Sequence, residues 1–402
     1  MKRRLLPILM TLVLVCALPI WAAFVTSGDV TNPLVCTAGA TSPPDTAATR
    51  LKSAISNGGD VRLTEDIEIR ETLLVTRDVT LDLNGHVLKM TGDGSVLRVS
   101  DRATLTITDS RPQNPHTGSY AGLPAGGVIT GGKADKGGGI LLAGGCTLKL
   151  TGGCITDCHA TDTGGGGVVL NGDTAILYMS GTARIENCTA GETWGANAIF
   201  NSGTMYADGG TVDGTVNNQG TIRLSEGAAA ETVFNGTVYN RSAGTIKAGR
   251  YNETVENRGT ITGGIFYGGV TNDGGKINDG AYETVTFNSD GGTPVEEAKV
   301  LRGQKVAKPT DDPTKSGYTF TGWEDANGAG AYDFNTPVIA PLTLTAKWEK
   351  NPSSGGYYYY PTTDTKADDA KGSPKTADPG VALYAALSIL SLTGLTCITK
   401  KR

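Results

Sequence analysis

One short pattern returns along the chain at intervals too irregular for a helix and too short for independent domains. An apolar residue, any residue and Asn are followed, one or more residues on, by Gly-Thr and a second apolar residue. The pattern reads Ile199-Phe200-Asn201-Ser202-Gly203-Thr204-Met205, Val216-Asn217-Asn218-Gln219-Gly220-Thr221-Ile222 and Val255-Glu256-Asn257-Arg258-Gly259-Thr260-Ile261, with looser copies centred on Asn240 and Asn272. Upstream, Ile155-Thr156-Asp157-Cys158-His159-Ala160 recurs as Ile185-Glu186-Asn187-Cys188-Thr189-Ala190. A unit this small cannot bury its own apolar side, so it must stack on its neighbours.

Within the units the period is two. Val79, Leu81 and Leu83 alternate with Thr80, Asp82 and Asn84, and the same alternation runs through Thr147 to Leu150 and Ala175 to Met179, which predicts strands. The 57 Gly and the aromatic share of 6% also point away from helical bundles. If each repeat is one coil of a solenoid, equivalent residues stack about 4.8 Å apart and the apolar positions fill one interior. A column of Asn suits a stacked bend, because each amide both donates and accepts. The Asn-to-Asn steps are 17, 22, 17 and 15 residues. Steps as short as 15 predict a flattened or partly open distal half.

The entry to the repeats differs. Asp45 to Asn57 places Leu51 and Ile55 four apart among alanines, with Asp45 as candidate N-cap and Gly58 as stop, which predicts a short amphipathic helix capping the open solenoid end. The run Asp78-Val79-Thr80-Leu81-Asp82-Leu83-Asn84-Gly85-His86 resembles the pectin-lyase-like superfamily. Gly138-Gly139-Ile140-Leu141-Leu142 and Leu150-Thr151-Gly152-Gly153-Cys154-Ile155-Thr156 look like bacterial adhesin and autotransporter β-helices. The resemblance implies an all-β chain with a right-handed parallel β-helix over residues 45–282.

Enzymes of that shape use clustered carboxylates, and galacturonases among them carry paired Asp and a Gly-His-Gly; neither is found here. His86 reads as an outer turn residue, and His116 and His159 stand alone, so metal sites and His-based triads lack material. Gly127 to Ala134 imitates a phosphate-binding loop but has Ala134 where Ser or Thr belongs. Asp82 and Asn84 could serve a sugar or calcium site, yet turn chemistry accounts for them. No catalytic residue, metal or cofactor is expected. The repeat alignment predicts Cys158 and Cys188 as neighbours on successive coils, with their oxidation state open.

From Glu283 to Lys350 the texture changes, with Thr284-Val285-Thr286-Phe287-Asn288-Ser289-Asp290-Gly291-Gly292, Gly317-Tyr318-Thr319-Phe320-Thr321-Gly322-Trp323 and Leu342-Thr343-Leu344-Thr345-Ala346-Lys347-Trp348. Order and spacing resemble the Listeria-Bacteroides repeat, the internalin B-repeat family of small β-grasp-like extracellular modules. That resemblance implies a spacer or adhesive module over 283–350; Tyr318, Trp323 and Trp348 read as core aromatics, with sugar platforms as the alternative.

The ends point to export. Met1 to Ala23 reads as a signal peptide, with Lys2, Arg3 and Arg4 before an apolar core. Residues 351–373 form a polar linker. Val381 to Ile398 is an apolar run that, as a helix, reaches about 27 Å, enough to cross a bilayer, and Lys400, Lys401 and Arg402 would stay on the cytoplasmic side. Ser373-Pro374-Lys375-Thr376-Ala377 just before it resembles the cell-wall sorting signal read by sortases, although the common form is Leu-Pro-x-Thr-Gly. The resemblance makes Thr376 the residue joined to peptidoglycan; a plain C-terminal membrane anchor is the alternative. A formal charge of −5 excludes a nucleic-acid partner, which needs a basic footprint. These readings lead to a non-catalytic surface protein of a Gram-positive-type bacterium, an adhesin or glycan-binding β-helix that meets a glycan or host-cell ligand. A wall-anchored polysaccharide lyase or hydrolase on the same scaffold is the alternative, and a purely structural wall protein is a third.

Overall fold

The computed structural model of the chain describes residues 46–162, 164–191, 196–326 and 330–352. Contacts divide the chain into two units, 1–350 and 351–402. Of the second unit only Asn351 and Pro352 are described, so the linker, the sorting motif and the apolar run 381–398 lie outside the described residues, as does the signal peptide. Among the described residues no helix is long and apolar enough to cross a membrane.

Each coil contributes strands to three faces. The first coil supplies Gly59–Arg62, Ile67–Ile69 and Leu73–Val75; the second supplies Val79–Asp82, Val87–Met90 and Leu97–Val99. Every strand pairs in parallel with its equivalent on the next coil, as in Val79↔Leu105, Leu88↔Ile129 and Leu97↔Ile140. The third face is an unbroken sheet of nine strands, while the first and second faces join into one sheet of seventeen because Ile176–Glu186 and Thr204–Val212 each run across both. Three parallel strands per coil is the arrangement of a parallel β-helix. Strand alternation sends one residue of each pair inward, so Val79, Leu105, Leu148, Leu177, Met205 and Ile222 form one buried row.

Residue chemistry at the bends keeps this register. Asp157 and Asn187 both take left-handed backbone, φ 50° and 52°, and Gly131 sits at the equivalent position one coil earlier with φ 79°. Asp, Asn and Gly are the residues that tolerate that region, which explains why the repeat carries Asp or Asn before its Cys. The Asn column lies at the bend after the third face. Asn201 donates its amide to Asn218 Oδ1 at 2.7 Å, Asn218 to Asn240 at 2.8 Å, Asn240 to Asn257 at 2.7 Å and Asn257 to Asn272 at 2.7 Å. The first four are fully buried. The Gly of the motif is required by closeness of approach: a Cβ on Gly220 would sit 2.0 Å from the Gly203 carbonyl oxygen, and one on Gly259 would sit 2.2 Å from that of Gly244.

The distal coils do not open or flatten in their pairing. The coil of Thr260–Ile261, Ile265–Phe266 and Val270–Asn272 keeps all three faces in register with the coil before it. It fits in 15 residues because its strands shrink to two or three residues while its bends stay tight. Aromatic side chains replace aliphatic ones inside this narrower stretch. Phe234, Tyr251 and Phe266 stack at centroid separations of 4.9 and 5.1 Å, and the buried Tyr251 hydroxyl donates to the Ala248 carbonyl at 2.8 Å.

Both ends of the solenoid are covered. An α-helix at Ala47–Asn57 lies over the first coil with Leu51 and Ile55 buried beneath it, and Gly58 ends it at φ 80°. Its N-cap is Thr46, whose Oγ1 accepts from the Thr49 N–H at 3.2 Å; the expected cap, Asp45, precedes it and lies outside the described residues. At the far end the strand Tyr282–Asn288 opens the next module, and Tyr282 also packs against the solenoid core. The strands Tyr282–Asn288, Ala298–Leu301, Tyr318–Glu324 and Leu342–Lys350 make a four-stranded mixed sheet with the first and last parallel and central. Trp323 is its core, with Phe287 and Phe320 edge-on at 5.0 and 5.4 Å. Tyr318 departs from the expected core role: it is exposed, with Lys315 over its ring at 4.9 Å.

This module seals the last coil. The Phe266 N–H donates to the Arg302 carbonyl at 2.8 Å, and the Gln304 amide returns a bond to the Phe266 carbonyl. Arg302 pairs with the buried Glu283, and Ala281, Tyr282 and Leu301 extend the solenoid core.

Replacing Asn240 by Leu removes the amide bonds to Asn218 and Asn257, both fully buried, and leaves each with weaker backbone contacts to Thr245 and Gly259 at 3.4 and 3.2 Å. Each buried group that loses its partner costs about 1 to 3 kcal/mol, so thermal unfolding should shift down by several degrees. Asn278→Leu, at an exposed position without a side-chain cap bond, should leave it unchanged. Equal shifts for both variants would show that the amide column does not hold the coils together.

Candidate functional site

Residues 110–127 form the long connection between the first and second faces of the third coil. Tyr120 and Leu123 anchor it from outside on Val87, Val128 and Cys154, and the Tyr120 hydroxyl donates to Glu68 at 2.9 Å. Burial, then the bond to Glu68, pushes the Tyr120 phenol up to about 12. Beside this connection opens a cleft of about 270 Å³, lined by Asp109, Pro112, Gln113, Gly153, Thr182 and Arg184.

The charged groups of that cleft are already engaged in holding backbone. Asp109 accepts from the N–H groups of Gly85 at 2.8 Å, Arg111 at 3.2 Å and Gly127 at 2.6 Å. Arg184 donates to the Ala125 carbonyl at 3.0 Å and lies 3.9 Å from Glu186. A hydrolase or lyase needs carboxylates or bases free to meet substrate, and these groups are spent on the loop itself.

Asp82 and Asn84 resolve the same way. Asp82 accepts from the N–H groups of Asn84 and Ser110, both at 2.9 Å, and pairs with Arg62 at 3.2 Å. Asn84 donates to the Leu63 carbonyl at 2.9 Å and accepts from Arg62 at 2.8 Å. Burial alone would raise the Asp82 carboxyl, but the bonds from Ser110 and Asn84 and the nearby Arg62 outweigh it and hold the group below its ordinary value. These residues brace the turn at Asn84 and Gly85, where φ is 50° and 73°.

The three histidines are spread apart along the solenoid. His86 reaches Asp66 at 3.3 Å, His116 the Gly126 carbonyl at 2.7 Å and His159 the Thr189 hydroxyl at 2.8 Å. Among the described residues no three His, Cys, Asp or Glu side chains gather as a metal site. The imitation of a phosphate-binding loop is instead the strand Val128–Thr130 followed by the strand Lys133–Ala134.

Cys158 and Cys188 do occupy successive coils: the Thr189 N–H donates to the Cys158 carbonyl at 2.9 Å, and His159 pairs with Thr189 in the adjoining ladder. Both are free thiols and buried. A hydrogen bond with Cys188, then burial, pushes the Cys158 thiol well up, so it stays protonated. The proposed sorting residues Ser373, Pro374, Lys375, Thr376 and Ala377 lie outside the described residues.

The outer surface of the first face carries a row of long polar side chains. Successive coils pair Lys149 with Tyr178, Tyr178 with Tyr206, and Tyr206 with Arg223. This row was invisible in the sequence, because its members are separated by 29, 28 and 17 positions that only the coil register equates.

Residues 284–347 match the Listeria-Bacteroides repeat domain family. Two curated proteins of Evansella cellulosilytica are similar over a short stretch: a "Putative Gly-rich membrane protein", 40% identical over 70 residues, and a "Putative membrane protein", 39% identical over 70 residues. Those stretches are 17% of this chain, and 8% and 10% of the respective relatives, so the chain spans a tenth or less of their length. No solved structure matches the chain.

The Asp82 brace should be acid-labile. A carboxyl depressed in the folded state contributes stability that is complete above its unfolded value, near 3.8, and is lost as pH falls through the folded value. The melting-temperature gap between the native chain and Asp82→Asn should therefore be widest near neutrality and close as pH drops below 3.8. A gap that is constant with pH, or that widens in acid, would remove the charge of Asp82 from the brace.

Proposed function

We propose that the chain is a non-catalytic bacterial surface protein in which the solenoid presents a glycan-binding or adhesive face. The observation that carries this reading is the docking of a Listeria-Bacteroides repeat onto the last solenoid coil, which makes an extended binding body rather than a cleft enzyme. The engagement of Asp82, Asp109 and Arg184 in holding turns supports it against the lyase or hydrolase alternative. Three parallel strands per coil support the β-helix, for which the run Asp78 to His86 suggests the right-handed, pectin-lyase-like form, and the mixed sheet of 282–350 supports the β-grasp-like form of the module.

Export and anchoring follow from the ends of the sequence. Met1 to Ala23 would direct secretion, and 381–398 with its basic tail would hold the chain in the membrane until sortase acts. A sortase thiolate would then break the peptide bond after Thr376, and an amine of peptidoglycan would take up the Thr376 carbonyl. The membrane-protein descriptions of the two Evansella relatives agree with a surface location.

Muramidase digestion of whole cells should release the protein with peptidoglycan fragments joined to Thr376, as read by mass spectrometry of its C-terminal peptide. Release by detergent alone, with residues 377–402 still attached, would overturn wall linkage in favour of a plain membrane anchor.

A further inference from the structure

The row Lys149, Tyr178, Tyr206, Arg223 continues to Lys247, because Ile222 and Ile246 pair one residue before Arg223 and Lys247. Five successive coils thus place a cation, two phenols and two further cations in a line along the solenoid axis. With coils about 4.8 Å apart, Lys149 and Lys247 stand roughly 19 Å from each other along that line.

The row is held in place. The Tyr178 and Tyr206 rings stack at 4.4 Å with 4° between their planes, and the Arg223 guanidinium lies 5.5 Å from the Tyr206 centroid. Tyr206 thus has one face on Tyr178 and the other toward Arg223, while Tyr178 has one face on Tyr206. Burial first, then Tyr206, raises the Tyr178 phenol, so it stays a donor.

Charge and hydroxyls complete the surface. Lys149, Arg223 and Lys247 are exposed and form no ion pair with a described carboxylate. On one side the register lines up Thr147, Ile176, Thr204, Thr221 and Thr245, hydroxyls on four of the five coils; on the other lie Ser180, Asp208 and Ser225. Asp208 is the acidic group of that flanking row, and Ser225 holds both its oxygens, with its N–H at 2.7 Å and its hydroxyl at 2.6 Å. A basic line on a chain of net charge −5 selects an anion locally while the remaining surface repels one.

We infer that this face binds a linear acidic polysaccharide, laid along the solenoid axis with its carboxylates on Lys149, Arg223 and Lys247 and its hydroxyls on the Thr and Tyr groups. The inference rests on the glycan-binding reading of the solenoid and adds the site and the ligand class. A rigid ladder with one set of donors per coil fits a polymer that offers similar groups at each sugar. A single-stranded nucleic acid needs open aromatic faces for its bases, and three of the four faces of Tyr178 and Tyr206 are occupied. Neutral glycans would gain nothing from the three cations.

Titration of the full-length protein with sodium alginate, a polyuronate, and with neutral dextran tests this. Alginate should bind, more weakly as salt rises, and dextran should not. The triple variant Lys149→Gln, Arg223→Gln, Lys247→Gln should lose about tenfold or more of the alginate affinity with an unchanged melting temperature. A control triple on other surfaces, Arg98→Gln, Lys133→Gln and Lys136→Gln, should bind as the native chain does. Equal losses from both triples, or equal binding of polyuridylate, would reduce the effect to unspecific charge and overturn the proposal. Binding of dextran as tight as alginate would overturn the acidic site while leaving a glycan-binding solenoid standing. Binding of neither would remove the glycan reading as well.

Discussion

Everything in the solenoid depends on coil-to-coil register. In a parallel ladder a slip of one residue turns every inward side chain outward, so a stack of nine coils needs a device that fixes alignment at each step. The buried Asn column is such a device from Asn201 to Asn257. Asn218, Asn240 and Asn257 each accept from the coil before and donate to the coil after, and a slipped coil would break both bonds in the interior. The same corner excludes side chains larger than Gly two to four residues later. Apolar contacts supply the drive to stack, and the amides decide where each coil stops.

The first half of the solenoid reaches the same end differently. Leu170 is the register partner of Asn201, so the amide column begins where an aliphatic one ends. Upstream, alignment is carried by turn conformation, through Gly131, Asp157 and Asn187, and by carboxylates that reach across coils to backbone N–H groups, Asp82 to Ser110 and Asp109 to Gly85. The polar residues that in another setting would suggest catalysis are therefore the ones that specify the fold, and the chemistry available to a partner is left to the outward rows.

That division explains what could be read from the sequence. The strands, the capping helix and the Asn column were legible because period two, Leu51 with Ile55, and the recurring Asn each follow from local geometry. The openness expected of the distal half was not found, since coil length alone does not reveal that Phe234, Tyr251 and Phe266 can fill a narrower interior by stacking. The partnership of Lys149 with Tyr178 and Tyr206 was illegible for a different reason. Spacings that vary between 17 and 29 residues carry no period, and only the register of the intervening strands brings the row together. Tyr318 was misread because an aromatic in a strand can face either way, and here Lys315 covers its outer side.

A solenoid of this kind has a second problem, which the register does not solve: its last coil presents a row of unpaired backbone groups that invites another strand. At the start the helix at Ala47–Asn57 lies over the edge. At the far end the loop after Ala298–Leu301 does the work, since Arg302 and Gln304 answer the backbone of Phe266 and Tyr267 while Arg302 pairs with Glu283. The module that a surface protein would use as a spacer is thus also the lid on the solenoid edge. It follows that module and solenoid are one structural body at this junction, and that the outward row on the first face keeps a fixed direction relative to the strand that leaves the module at Lys350.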